Sequence, residues 1–177
     1  MMRTISIAAV FIALLITLAA AQQPAPGQSA IKMSGKTIML AYSPQSTRGK
    51  KIFGAQVPYG QVWLAGGATT TFRTEAPLEV QGLAVPKGEY TLYFIPDAKE
   101  WQLIISKQTG PQAAKYNPKM DLGRVPMDMK KAAAPVEALK ITLTSLGSVA
   151  GKLELAWENT LASVPFNIDA IKAHQEW

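Results

Sequence analysis

Residues 152–158 read Lys-Leu-Glu-Leu-Ala-Trp-Glu. Along an extended chain, Leu153, Leu155 and Trp157 fall on one side, and Lys152, Glu154 and Glu158 on the other. A period of two is the mark of a strand with one buried and one wet face. After a short link, Val164, Phe166 and Ile168 carry the alternation on. Upstream, Ile141 and Leu143 alternate with Thr142 and Thr144 until Gly147-Ser148 breaks the run.

The same grammar recurs toward the N-terminus. Lys36 to Ser43 is a β-prone run stopped by Pro44, Thr69 to Arg73 is rich in β-branched residues, and Leu78 to Gln81 alternates until Gly82. Pro86-Lys87-Gly88 is a turn signal feeding Glu89 to Ile95. There Tyr90, Leu92 and Phe94 share one face and Thr91, Tyr93 and Ile95 the other. Both faces are largely apolar, which predicts a central strand. Pro96 to Lys99 then turns the chain into Trp101–Ile105, giving a hairpin with a loop of about four residues or a little more. About eight short strands with Gly and Pro punctuation, and no long amphipathic helix, predict an all-β fold. The expected architecture is an antiparallel β-sandwich or jelly-roll-like single domain. Short helical turns are expected at 112–116, 128–133 and 169–174.

The N-terminus reads differently. Arg3 is the only charge before Lys32, Ile5 to Ala21 is almost wholly apolar, and the run ends in Ala19-Ala20-Ala21. A positive start, an apolar middle and a small-residue exit make a secretory signal peptide over residues 1–21. An uncleaved anchor is the alternative, but the run is at the short edge of what spans a bilayer. The polar, Pro-rich stretch that follows favours cleavage. Residues 22–30 then read as a flexible leader, 31–168 as the β-sandwich domain and 169–177 as a short C-terminal tail. The expected location is periplasmic or secreted, with no membrane span after cleavage.

The 177 residues are 48% hydrophobic and 17% charged, enough for one packed domain. There is one His and there are no Cys. These counts exclude disulfides, Cys-ligated zinc, cysteine nucleophiles and metal sites that need two His. His174 lies in the polar tail, a poor place for a group that catalysis needs held and oriented. Ser-His-Asp hydrolysis is not expected. No clustered acids resemble a calcium loop, and no cofactor is expected. The formal +6 loses one charge with the leader, and without aromatic–basic interleaving it does not point to nucleic acid.

Two constellations remain as a binding surface. Arg48-Gly49-Lys50-Lys51 is the densest basic cluster. It follows a turn-prone loop and suits a carboxylate, a phosphate or an anionic envelope polymer; its bland reading is a solvated loop. Among the aromatics, Tyr59, Trp63, Tyr90, Tyr93 and Trp101 could line a sugar or aryl site. Most rings at strand period are core. Tyr59 and Trp63 are the better candidates because they flank a Gly- and Pro-containing loop. Glu89, Asp121, Glu154 and Glu158 are the carboxylates a glycosidase would draw on. Glu154 and Glu158 are about 13–14 Å apart along one strand, which reads as two solvated charges.

Taken together, several segments resemble a known family. They are Tyr42-Ser43-Pro44 with Arg48 to Gly54, then Val57-Pro58-Tyr59-Gly60-Gln61-Val62-Trp63. Val85 to Pro96, Trp101 to Lys107 and Trp157-Glu158-Asn159 follow. This order resembles the domain-of-unknown-function 2911 family of exported bacterial proteins, over about Ile38 to Val164. The resemblance implies a signal peptide and a compact β-rich domain, and it brings no established activity. Where the family pattern has Arg, Asn and Glu after this Trp, this chain has Leu64, Ala68 and Thr69. A family site using those polar groups would be lost or altered here. The spacing Tyr116, Asp121, Arg124 is kept in outline and implies a structural Asp–Arg pair. The reading that results is a non-catalytic ligand- or envelope-binding protein. The ligand would be a small molecule, a glycan or an envelope component. The alternatives are a carboxylate-based hydrolase of polysaccharide or envelope material, and a structural envelope-associated protein.

Overall fold

The structure, a computed structural model, describes residues 25–169. The expected signal peptide, the first residues of the leader, nearly all of the 169–174 turn and His174 lie outside them. Among the described residues there are nine strands: β1 (Gly27–Met33), β2 (Lys36–Tyr42), β3 (Thr70–Thr74), β4 (Leu78–Val80), β5 (Leu83–Val85), β6 (Gly88–Ile95), β7 (Trp101–Ser106), β8 (Asp121–Ser145) and β9 (Ala150–Ile168). Every pairing is antiparallel, in the order β1-β2-β3-β6-β7-β8-β9-β4-β5. The remaining regular structure is three short 3-10 turns, at Ala65–Gly67, Gly110–Ala114 and Pro118–Met120. None of the described helices is long and apolar enough to cross a membrane.

β6 is central, as its two apolar faces predict. It pairs β3 on one side and β7 on the other, and Tyr90 through Phe94 are all buried. The β6–β7 hairpin sets Leu92 opposite Ile105, Tyr93 opposite Ile104 and Phe94 opposite Leu103. β9 keeps the alternation read at 152–158, with Leu153, Leu155 and Trp157 buried. It runs on through the expected link as one strand to Ile168.

Two expectations need correction. β1 starts at Gly27, inside the stretch read as leader. A two-residue turn, Ser34-Gly35, with φ of 46° and 76°, folds it onto β2. That left-handed pair matches the twist of a tight hairpin. The helical turn expected near residues 128–133 is instead the middle of β8. Its Ala-rich composition favours helix locally. Here Asp128 to Lys131 pair with Ser163 to Thr160 of β9, and Val125 and Met127 are buried. Tertiary pairing overrides local preference.

β8 belongs to two ladders. Its first residues, Asp121–Met127, pair with β7, and the rest pairs with β9. Side chains from both ladders meet in one hydrophobic cluster, Phe72, Leu92 and Leu103 from one side and Val80, Leu153 and Phe166 from the other. Each fully buried large side chain of this kind contributes about 1.5–3 kcal/mol. Between Lys131 and Lys140 the β8–β9 register slips twice, leaving Val136 opposite Glu158 as the one intervening pair. This slipped stretch positions the site.

Candidate functional site

The basic loop leaves β2 and is fastened to the slipped part of β8. The Leu139 N–H donates to the Gln45 carbonyl and the Thr47 N–H to the Glu137 carbonyl, both at 2.8 Å. Arg48 and Gly49 take left-handed φ values of 50° and 70°, and the Lys50 N–H closes the turn on the Thr47 carbonyl at 2.9 Å. Two carboxylates hold its ends. Glu137 Oε1 accepts from Ser46 Oγ at 2.7 Å and from the Arg48 N–H at 3.0 Å. Glu158 Oε2 accepts from the Ile52 N–H at 3.2 Å.

Glu158 itself has φ 55° in mid-strand. The other non-glycine residues with positive φ (Ser34, Arg48 and Gln81) each precede a glycine in a turn. A strained strand residue aimed at a loop marks a place where the surrounding structure fixes the geometry.

The Thr47 and Ser46 hydroxyls, with the Arg48 N–H, hold the Glu137 carboxyl below its ordinary value of 4.5. A carboxyl that titrates lower folded than unfolded stabilises above the unfolded value. That contribution is lost as the pH falls through the lower, folded one. The thermal midpoint of Glu137→Gln therefore lies below that of the parent at neutral pH. The gap closes as the pH falls below the carboxylate range. A gap unchanged in acid would mean the carboxylate charge has no part in holding the loop.

Between this loop and the sheet lies a cleft of about 620 Å³. Arg48 and Lys50 line it together with Gln45, Gln56, Trp63 and Trp157. The two indoles are stacked, with ring centroids 6.0 Å apart and 12° between planes. Phe53 meets both edge-on. Trp63 is fixed by its backbone as well, exchanging hydrogen bonds with Phe94 at 2.7 and 2.9 Å.

The structure thus brings Arg48, Lys50 and Trp63 together. Lys51 faces a smaller neighbouring cleft of about 370 Å³, shared with Lys50, Glu137 and Glu158. Tyr59 does not join them. It is 42% exposed, and its ring lies against Gly54. Tyr90, Tyr93 and Trp101 are core residues.

Asp121 and Arg124 are paired, Nη2 to Oδ2 at 3.0 Å, and Tyr116 completes the group. Its hydroxyl donates to Asp121 Oδ2 at 2.6 Å and accepts from Arg124 Nη2 at 2.6 Å. Burial, then the bond to Asp121, pushes the Tyr116 hydroxyl up. The group ties the 107–120 loop to the start of β8. With the Arg124 side chain 43% exposed, the ion pair is worth at most about 1 kcal/mol.

Of the other carboxylates, Glu154 pairs with Lys152 Nζ at 2.7 Å, and Glu89 lies opposite Arg73 in the β3–β6 ladder. No group of three or more His, Asp or Glu side chains among the described residues could hold a metal ion.

The family model described as Protein of unknown function (DUF2911) matches residues 25–166. The chain belongs to that family. No curated protein and no solved structure matches it. In this DUF2911 chain, the positions that depart from the family pattern (Leu64, Ala68 and Thr69) lie in and beside the Ala65–Gly67 turn. That turn borders the cleft through Gly67.

Sequence reasoning missed Glu137, Gln45, Gln56 and the cleft-facing part of Trp157. Glu137 carries no local signal. It sits in an Ala- and Pro-containing stretch about 90 residues from the loop it holds.

Proposed function

We propose that this DUF2911 protein is exported after cleavage of residues 1–21 and binds a ligand in the Trp63–Trp157 cleft without transforming it. The finer architecture in this reading is a single-domain sandwich, its two ladders covering one core. The observation that carries the reading is the convergence of Arg48 and Lys50 with two indoles on a cleft of about 620 Å³. Ligand pockets are commonly of about 300–1,000 Å³, mainly apolar, with a few placed polar groups.

A carboxylate hydrolase is the second reading, because Glu137 and Glu158 share the smaller cleft. It ranks lower because both carboxylates are already engaged, on Ser46 and Arg48 and on Ile52.

The test is a thermal-shift panel of glycans, nucleotides, organic acids, lipids and divalent metals on the mature chain. A ligand at about a hundred times its dissociation constant adds about 2.7 kcal/mol, several degrees in midpoint. Trp63→Ala, or joint neutralisation of Arg48, Lys50 and Lys51, removes the shift while cooperative melting survives. A flat panel would favour the structural, envelope-associated alternative. Turnover lost in Glu137→Gln or Glu158→Gln would favour the hydrolase.

A further inference from the structure

The loop under the cleft has its backbone donors engaged inward. The N–H of Thr47 goes to the Glu137 carbonyl and that of Arg48 to the Glu137 carboxylate. Gly49 donates to the Thr47 hydroxyl, Lys50 to the Thr47 carbonyl and Ile52 to the Glu158 carboxylate. Phosphate groups are characteristically cradled by rows of free backbone N–H groups, and these five are not free. An anion here meets side-chain cations instead.

The cleft offers the Arg48 guanidinium and Lys50 ammonium, with no carboxylate in its lining among the described residues. Beside them stand the Gln45 and Gln56 amides, each able to donate and accept at once. That matches neighbouring ring hydroxyls. The indoles supply the apolar surface that the C–H face of a pyranose requires.

Resting on the reading of the cleft as a binding site, we propose that its ligand is a uronic-acid oligosaccharide. The carboxylate lies on Arg48 and Lys50, ring hydroxyls on Gln45 and Gln56, and the apolar sugar face against Trp63. The volume of about 620 Å³ is that of a site for a drug-sized molecule, more than a single sugar ring.

The test is calorimetric titration of the protein with trigalacturonate and trimannuronate. The fully methyl-esterified trisaccharides, with the same hydroxyls but no charge, and uridine diphosphate serve as comparisons. At least one acid is expected to bind, its ester about tenfold or more weaker, and the nucleotide weaker again. Arg48→Asn with Lys50→Gln brings the acid down to the level of its ester; Asn tolerates the left-handed φ at position 48. Gln56→Ala, at a side chain that holds nothing else, weakens acid and ester alike.

An ester that binds as well as its acid overturns the carboxylate assignment. Nucleotide binding that the Arg48 and Lys50 changes abolish, with neither saccharide bound, overturns the ligand class and leaves the cleft a binding site. Saccharide binding indifferent to every cleft variant overturns the cleft reading itself. Absence of heat with both acids overturns the saccharide proposal.

Discussion

Gly66→Ala is expected to destabilise the protein by about 3–5 kcal/mol. Gly66 has φ 73° and ψ 15° inside the Ala65–Gly67 turn. A Cβ built there falls 1.9 Å from the Ser43 carbonyl oxygen and 3.3 Å from Leu139 Cδ2. The oxygen is backbone, so no rotamer change relieves the clash. Two costs add, the left-handed conformation for a residue with a Cβ and the displacement of the chain as it leaves β2. Ser43 and Gly67 both line the cleft, so the same change distorts the site. Gly35→Ala is the control. Its φ is 76°, but nothing lies within 4 Å of the added carbon, and only the conformational cost of about 1 kcal/mol remains. Urea midpoints of the two variants decide the matter. If Gly66→Ala unfolds no more easily than Gly35→Ala, the close approach to Ser43 does not govern the loop.

Trp101→Ala is expected to cost about 3–5 kcal/mol. The side chain is 1% exposed, and its Nε1 donates to the Asp97 carbonyl at 3.1 Å. Phe53 packs edge-on against it, with centroids 4.7 Å apart. Truncation opens a cavity under Phe53 and Trp63 and leaves the Asp97 carbonyl without its donor. Tyr59→Ala, at the exposed ring, should stay within about 0.5 kcal/mol. Urea melts followed by near-ultraviolet circular dichroism separate the two. A Trp101→Ala loss below about 1 kcal/mol would mean that the aromatic cluster is not a structural centre.

The parts of the fold legible in the sequence were those whose burial alternates or saturates. β6, β7 and the first half of β9 are written in their own side chains, because each faces the core along its whole length. β1 was hidden because only Met33 of its seven residues is buried. It sits at the sheet edge, where composition is free to look like linker. β5 has three residues, too few for a period. The middle of β8 looked helical because the slipped stretch, with Ala132, Ala133 and Ala134, is not shaped by a continuous partner strand.

The site divides in the same way. Arg48, Lys50 and Trp63 announce themselves by residue type in loops. Glu137 and Trp157 join them only through long-range pairing, which one chain read locally does not contain.

The pairing of β4 with β9 sets an order of assembly. Leu78 lies opposite Ile168 and Val80 opposite Phe166. As the chain is made from its N-terminus, β1, β2, β3, β6 and β7 can each find a neighbour soon after they appear. The β4–β5 hairpin, looped out between β3 and β6, cannot. A lone two-stranded hairpin is marginal in water, and Leu78, Val80 and Val85 remain uncovered until the last strand arrives. The core therefore closes only when synthesis is nearly finished, and a chain missing the end of β9 should fail as a whole rather than fray. Until then the polypeptide can still be threaded, and an extended chain is what a translocation channel accepts.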